Sequence, residues 1–215
     1  MNSLFHKQID LKKGFFATLI VILGYIGQLY GSLFINTVSL LVTTLIGFSI
    51  VYTPKELLLL FSKPLHPLKN TIKYFLLSWI ISMAIGVALT VIFGLNLKAN
   101  PIDTINVKPL LLLVLPISLM GEELFCIYFL SIFTSKFGLF ISNVFSALIF
   151  GLAHYSTYYN GSVVITLIHI ILIQGVTRLL LSQAAIKSNS IWTSWIIHVL
   201  FDFSTIALPI LIKLL

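Results

Sequence analysis

Residues 119–130 read LMGEELFCIYFL and set two carboxylates, Glu122 and Glu123, side by side in a run whose nearest flanking charges are Lys108 and Lys136. A charge at the centre of a membrane-spanning helix costs about 2.5–3.5 kcal/mol even on insertion scales, so it is expected to face a polar cavity or a partner rather than lipid. The other charges indicate what that partner is. The chain holds six acidic residues; Asp10, Glu56 and Asp103 fall in polar connections, whereas Glu122, Glu123 and Asp202 fall inside apolar runs, as do His154 and His198. Spans that converge to bring these side chains into one intramembrane site account for the pattern.

Composition excludes a soluble domain. Of 215 residues, 59% are hydrophobic and 9% charged, with a mean hydropathy of +1.09, and apolar runs of spanning length cover nearly the whole chain. The expected fold is an all-α bundle of seven transmembrane helices, with an eighth, short or re-entrant piece near the C-terminus as the alternative. The net charge of +7 does not point to nucleic acid, because the basic residues sit at or near the ends of apolar runs and form no basic face. Cys126 is the single cysteine, so an internal disulfide and a thiolate metal cluster are both excluded.

Working outward, no charge separates Lys13 from Lys55, and the polar break YGSLFINT divides that run into helices near Gly14–Leu33 and Thr37–Tyr52. The first apolar run is too long for a signal peptide and lacks a small-x-small cleavage site. A basic, proline-rich loop over 53–73 leads to a third helix near Tyr74–Phe93, and the glutamate pair falls in a fourth near Leu110–Thr134. Further helices are expected near Leu139–His154, Val163–Ser182 and Ile191–Leu208, the last ended by Pro209 and Lys213. Residues 1–109 thus form an N-terminal part and 110–215 a core. With the N-terminus in the cytoplasm, Arg178 and nine lysines (7, 12, 13, 55, 63, 69, 73, 136 and 187) fall on the cytoplasmic side, leaving Lys98, Lys108 and Lys213 outside, which satisfies the positive-inside rule.

Two further pairs carry chemistry. Phe150 and His154, in SALIFGLAHY, are four residues apart and share a helix face; His198 and Asp202, in IIHVLFDF, have the same spacing and stack imidazole against carboxylate. Either pair alone has a plain structural reading, an intrahelical hydrogen bond or interface packing. Phe150 reads as packing, and His169, which falls in no such pair, as packing or interface. Two glutamates at mid-span resist that explanation most.

A glutamate pair, FxxxH and HxxxD, in this order on three separate helices, resembles the CPBP intramembrane proteases, the family of CAAX prenyl endopeptidases and bacteriocin-processing or Abi proteins. The resemblance covers about residues 110–205. It implies that the 110–215 core is catalytic, with Glu122 as general base, Glu123 orienting the site, His154 and His198 stabilising the oxyanion, Asp202 hydrogen-bonding to them and Phe150 in support. A Glu122/His154/His198 set holding a divalent metal such as Zn²⁺ is the alternative chemistry, although no HExxH pattern is present. The family's EExxxR arginine is replaced here by Ile127. Arg178 offers a guanidinium from another helix, but its expected place near the cytoplasmic end gives it the ordinary role of snorkelling.

The implied function is an intramembrane endopeptidase cutting a hydrophobic or membrane-anchored peptide, such as a bacteriocin leader, a signalling peptide or a self-immunity substrate, in a bacterial cell membrane. Loss of the arginine makes a non-catalytic immunity protein or membrane scaffold the second reading. A proton-coupled carrier is the third, but no internal repeat supports it. Counted from the cytoplasmic helix ends, His198 is expected at a shallow depth and His154 at a deep one.

Overall fold

The computed structural model describes residues 1–99 and 109–214, with side chains described over 1–99 and 113–205. Asp103 and Lys108 lie outside the described residues, and so does the side chain of Lys213. All regular structure among the described residues is helical. The chain passes back and forth as α1 (Leu11–Tyr30), α2 (Leu33–Val51), a short α3 (Pro54–Leu58), α4 (Pro67–Val87), α5 (Pro109–Phe137), α6 (Leu139–Ala153), a one-turn α7 (Tyr155–Tyr158), α8 (Val163–His169), α9 (Val176–Ser188) and α10 (Ile191–Leu214). Wide π turns prolong α4 over Ala88–Ile92 and join α8 to α9 over Ile170–Gly175, so each of these units crosses as one helix.

Among the described residues, five helical units are long and apolar enough to cross a membrane, and α6 is a shorter apolar helix. The protein is an integral membrane helix bundle. The third pass begins earlier than the sequence suggests, at Pro67, because a proline suits a helix's first turn. The last runs past Pro209 to Leu214.

The glutamate helix occupies the centre. Over its spanning window 67% of α5 is buried, against 17–33% for the other four candidate spans, whose outer faces present residues such as Phe15, Leu23, Leu76 and Val164 to lipid. In lipid there is little hydrophobic drive between helices, so close packing relies on small residues. At Gly121 a Cβ would lie 2.9 Å from the backbone nitrogen of Leu41, which brings α5 backbone-close to α2. Gly151 does the same for α6, where a Cβ would lie 2.8 Å from the Ile170 carbonyl oxygen at the start of the π turn.

The α9–α10 turn is drawn into the packed body. Ser188, Ser190 and Ser194 are fully buried, and the segment before α4 straps the turn, with Leu65 N–H donating to Ser188 O (2.7 Å) and Ser62 Oγ to Asn189 O (2.6 Å). Trp192 Nε1 donates to Phe61 O at 3.1 Å. The last helix therefore starts packed against the protein, with Ile191 fully buried.

Candidate active site

Successive residues on a helix point about 100° apart, and Glu122 and Glu123 face two different environments. Glu123 has no exposed surface. Its carboxylate takes both arms of Arg178, Nη1 to Oε1 at 2.5 Å and Nη2 to Oε2 at 3.1 Å. Arg178 is 1% exposed and spends its Nε on Ser182 Oγ at 3.2 Å. An arginine stays charged, and a charge this deep persists only when paired and hydrogen-bonded, so the two side chains form a buried ion pair in the bidentate geometry that suits guanidinium and carboxylate. Snorkelling to the cytoplasmic interface, the expectation for Arg178, is thereby corrected: the residue is buried and points inward onto Glu123. Ile127, where the EExxxR pattern has its arginine, is fully buried, and the guanidinium that meets Glu123 comes from the α8–α9 unit.

The same carboxylate holds His198. Nδ1 of His198 lies 2.9 Å from Glu123 Oε1. An ionised carboxylate only accepts, so Nδ1 carries the proton and Nε2 is the nitrogen left over. That Nε2 lies 4.0 Å from Oε2 of Glu122, a separation that suits a bridging water rather than a direct hydrogen bond.

Glu122 is on the open side. Its side chain is 18% exposed and accepts a hydrogen bond from Gln28 Nε2 at 3.0 Å. Gln28 sits in the last turn of α1, and its own carbonyl accepts from Asn36 Nδ2 of α2. Sequence reading missed Gln28: a polar residue near a span end looks like an interfacial one, and nothing in its neighbourhood pairs it with a carboxylate 94 positions away.

His154 closes α6. Its Nδ1 lies 2.8 Å from the Phe150 carbonyl oxygen, so this nitrogen donates and Nε2 is again the free one. The Phe150 ring neighbours both imidazoles, 4.4 Å from His154 and 6.1 Å from His198 by ring centroid, and lies 5.8 Å from the Arg178 guanidinium carbon while it lines the cavity. Asp202, one helical turn beyond His198, lines the cavity, and among the described residues its carboxylate makes no hydrogen bond. His169 is buried and packs on Tyr158, ring centroids 4.6 Å apart.

Glu122, His154, His198 and Asp202 all line one cavity of about 520 Å³, a size ordinary for a small-ligand or peptide site. Apolar residues such as Leu33, Leu40, Val114 and Leu119 form much of its wall. The sequence-predicted residues are thus brought together, except that Glu123 lies behind His198 rather than in the cavity. As a metal centre the site fits poorly: among the described residues no three His, Cys, Asp or Glu side chains are arranged to hold an ion, so Glu122, His154 and His198 form no ready ligand set.

Residues 104–204 match the model of the family described as Rce1-like, type II CAAX prenyl endopeptidase. This segment belongs to the CPBP/CAAX protease family. The CAAX protease segment takes in the glutamate pair, both histidines, Asp202 and Arg178, whereas Gln28 and the α1–α2 wall of the cavity come from outside it. No curated protein and no solved structure matched the chain.

Proposed function

We propose that the protein is an intramembrane endopeptidase in which Glu122 activates water against a hydrophobic or membrane-anchored peptide. The observation that carries this reading is the 4.0 Å gap between Glu122 Oε2 and His198 Nε2 at the cavity wall, with His198 fixed from behind by Glu123. A water bridging that gap gives its proton to Glu122 as its oxygen attacks the scissile carbonyl carbon; Glu122 then returns the proton to the leaving amine. The tetrahedral oxyanion is met by His154 and His198 in their doubly protonated form, each turning Nε2–H to the cavity while Nδ1–H donates to the Phe150 carbonyl and to Glu123 respectively. Asp202 serves as acceptor for a peptide N–H. Gln28 holds the Glu122 carboxylate in register with the water.

The non-catalytic reading, an immunity protein or scaffold, draws its support from Ile127. The bidentate Arg178–Glu123 pair supports the catalytic reading instead, because the guanidinium that the motif calls for is supplied by another helix. A wall of leucine, valine and phenylalanine suits a hydrophobic peptide, with bacteriocin leaders and signalling peptides as the first candidates.

The test is cleavage of a panel of hydrophobic and leader peptides by the protein in nanodiscs, comparing wild type with Glu122→Ala and His198→Ala, with and without chelator. Cleavage by wild type, lost in both variants and unaffected by chelator, is expected. Chelator-sensitive cleavage overturns the metal-free step, and absence of cleavage across the panel, with partner binding retained by both variants, overturns the enzyme.

A further inference from the structure

The bundle has two ends of opposite character. At one end lie the segment before α1, the α2–α4 connection, the α5–α6 turn and the α9–α10 turn. They are tied together by Lys7 Nζ on Glu56 (2.6 Å), Asn2 N on Asn189 Oδ1 (2.7 Å) and Leu65 N on Ser188 O (2.7 Å). At the other end lie the α1–α2 turn, the chain leaving α4 and the stretch from His154 to Ser162, tied by Asn160 Nδ2 on Asn96 O and Tyr25 OH on Ala153 O, both 2.6 Å.

Lysines divide sharply between them. The first end carries residues 7, 12, 13, 55, 63, 69, 73, 136 and 187; the second carries Lys98 among the described side chains. Arg178, being internal, belongs to neither. Cytoplasmic loops carry the excess of Lys and Arg, which puts the first end in the cytoplasm.

The cavity belongs to the second end. Its rim is drawn from the last turn of α1 (Gln28), the start of α2 (Asn36), Lys98, and Ser156 and Thr157 after α6, and its inner wall holds Glu122 and His198; none of its lining comes from the connections at the lysine-rich end. We infer that the catalytic cavity opens to the extracytoplasmic side of the membrane, so that its substrate is a peptide exported across the bilayer or the outer-leaflet end of a membrane-anchored one. The assignment of the substrate rests on the protease reading above; the direction of the opening rests only on topology.

Membrane-impermeant maleimide labelling in intact bacterial cells separates the two. On a Cys126→Ala background, Ser156→Cys and Asn96→Cys place thiols at or beside the rim, and Gln8→Cys places one at the lysine-rich end; all three positions are exposed. Modification of both rim cysteines in intact cells, with loss of Gln8→Cys labelling until the cells are lysed, is expected. The reverse pattern, or rim labelling only after lysis, overturns the assignment. Labelling is indifferent to catalysis, so rim cysteines reached from outside together with no cleavage of externally added hydrophobic peptide would sink the protease reading and leave the orientation standing.

Discussion

Glu122 and Glu123 are neighbours in sequence and near-opposites in circumstance. Glu123 is dry, has both carboxylate oxygens occupied, and is tied to Arg178 and His198. Glu122 has one oxygen on Gln28 and the other facing a cavity across a 4.0 Å gap. One carboxylate is spent on holding its neighbours in place and the other stands at the wall of the cavity. The difference shows that a pair of like residues in one motif need not share a setting: a 100° turn of helix separates a buried counter-ion from a carboxylate that faces the cavity.

The comparison breaks most severely at Arg178. Arg178→Leu leaves Glu123 buried without its counter-ion, a loss of about 3–5 kcal/mol, and the expected outcome in thermal unfolding in detergent is a large drop in midpoint together with loss of activity. Arg178→Lys keeps the charge but not the fork and is expected to fall between. Adding Ile127→Arg to Arg178→Leu sharpens the point: if the guanidinium matters more than the helix that supplies it, this double variant recovers part of the lost stability, and no recovery refutes the equivalence.

Glu122→Gln is expected to do the opposite, leaving the melting midpoint close to wild type while peptide cleavage falls by about 10²–10⁴, the usual worth of a general base. A comparable loss of stability in this variant would mean that the two glutamates are not divided as described. Gln28→Ala removes one hydrogen bond to a carboxylate, and about a tenfold fall in kcat with little change in KM is expected, since hydrogen bonds to charged groups contribute about 1.5–3 kcal/mol and water replaces part of this one. Gln28→Glu, which sets a like charge against Glu122, is expected to be worse than Gln28→Ala.

The smallest effect lies far from the site and contrasts with the dry ion pair. The Lys7 ammonium, helped by the Thr53 cap, holds the Glu56 carboxyl down from 4.5 to about 2. A depressed carboxyl stabilises the fold above its unfolded value, and that contribution fades as pH falls from about 4.5 towards 2. Both partners are about a third exposed, so Glu56→Gln is expected to cost under about 1 kcal/mol at neutral pH and only a small part of that at pH 2, read from melting midpoints at the two pH values.

Much of this was legible from residue type and spacing. Glutamates, histidines and an aspartate inside apolar runs are costly enough to announce a site, and the FxxxH and HxxxD spacings put partners on one helix face. What was not legible depends on three dimensions. Arg178 lies on a helix whose depth hydropathy does not fix, so a buried arginine and a snorkelling one read alike until Glu123 is seen opposite. Gln28 acts across the bundle through one hydrogen bond. The α9–α10 turn that leads into the His198 helix is strapped by hydrogen bonds from Ser62 and Leu65, residues that look like ordinary connecting loop. Pro209 stops no helix here, because a proline removes one hydrogen bond and neighbouring turns in a membrane helix absorb the loss.

The internal ion pair also bears on how the chain enters the membrane. Glu123 is made 55 residues before Arg178, and each alone at mid-bilayer costs about 2.5–3.5 kcal/mol or more. Neither α5 nor the α8–α9 unit is therefore comfortable in lipid by itself, and the glutamate helix has reason to linger beside the insertion machinery until its guanidinium emerges. Biogenesis of this bundle is then a joint act of two non-adjacent helices, and a substitution at Arg178 would be felt during synthesis, as retention or degradation of the nascent chain, before any folded protein exists to be assayed.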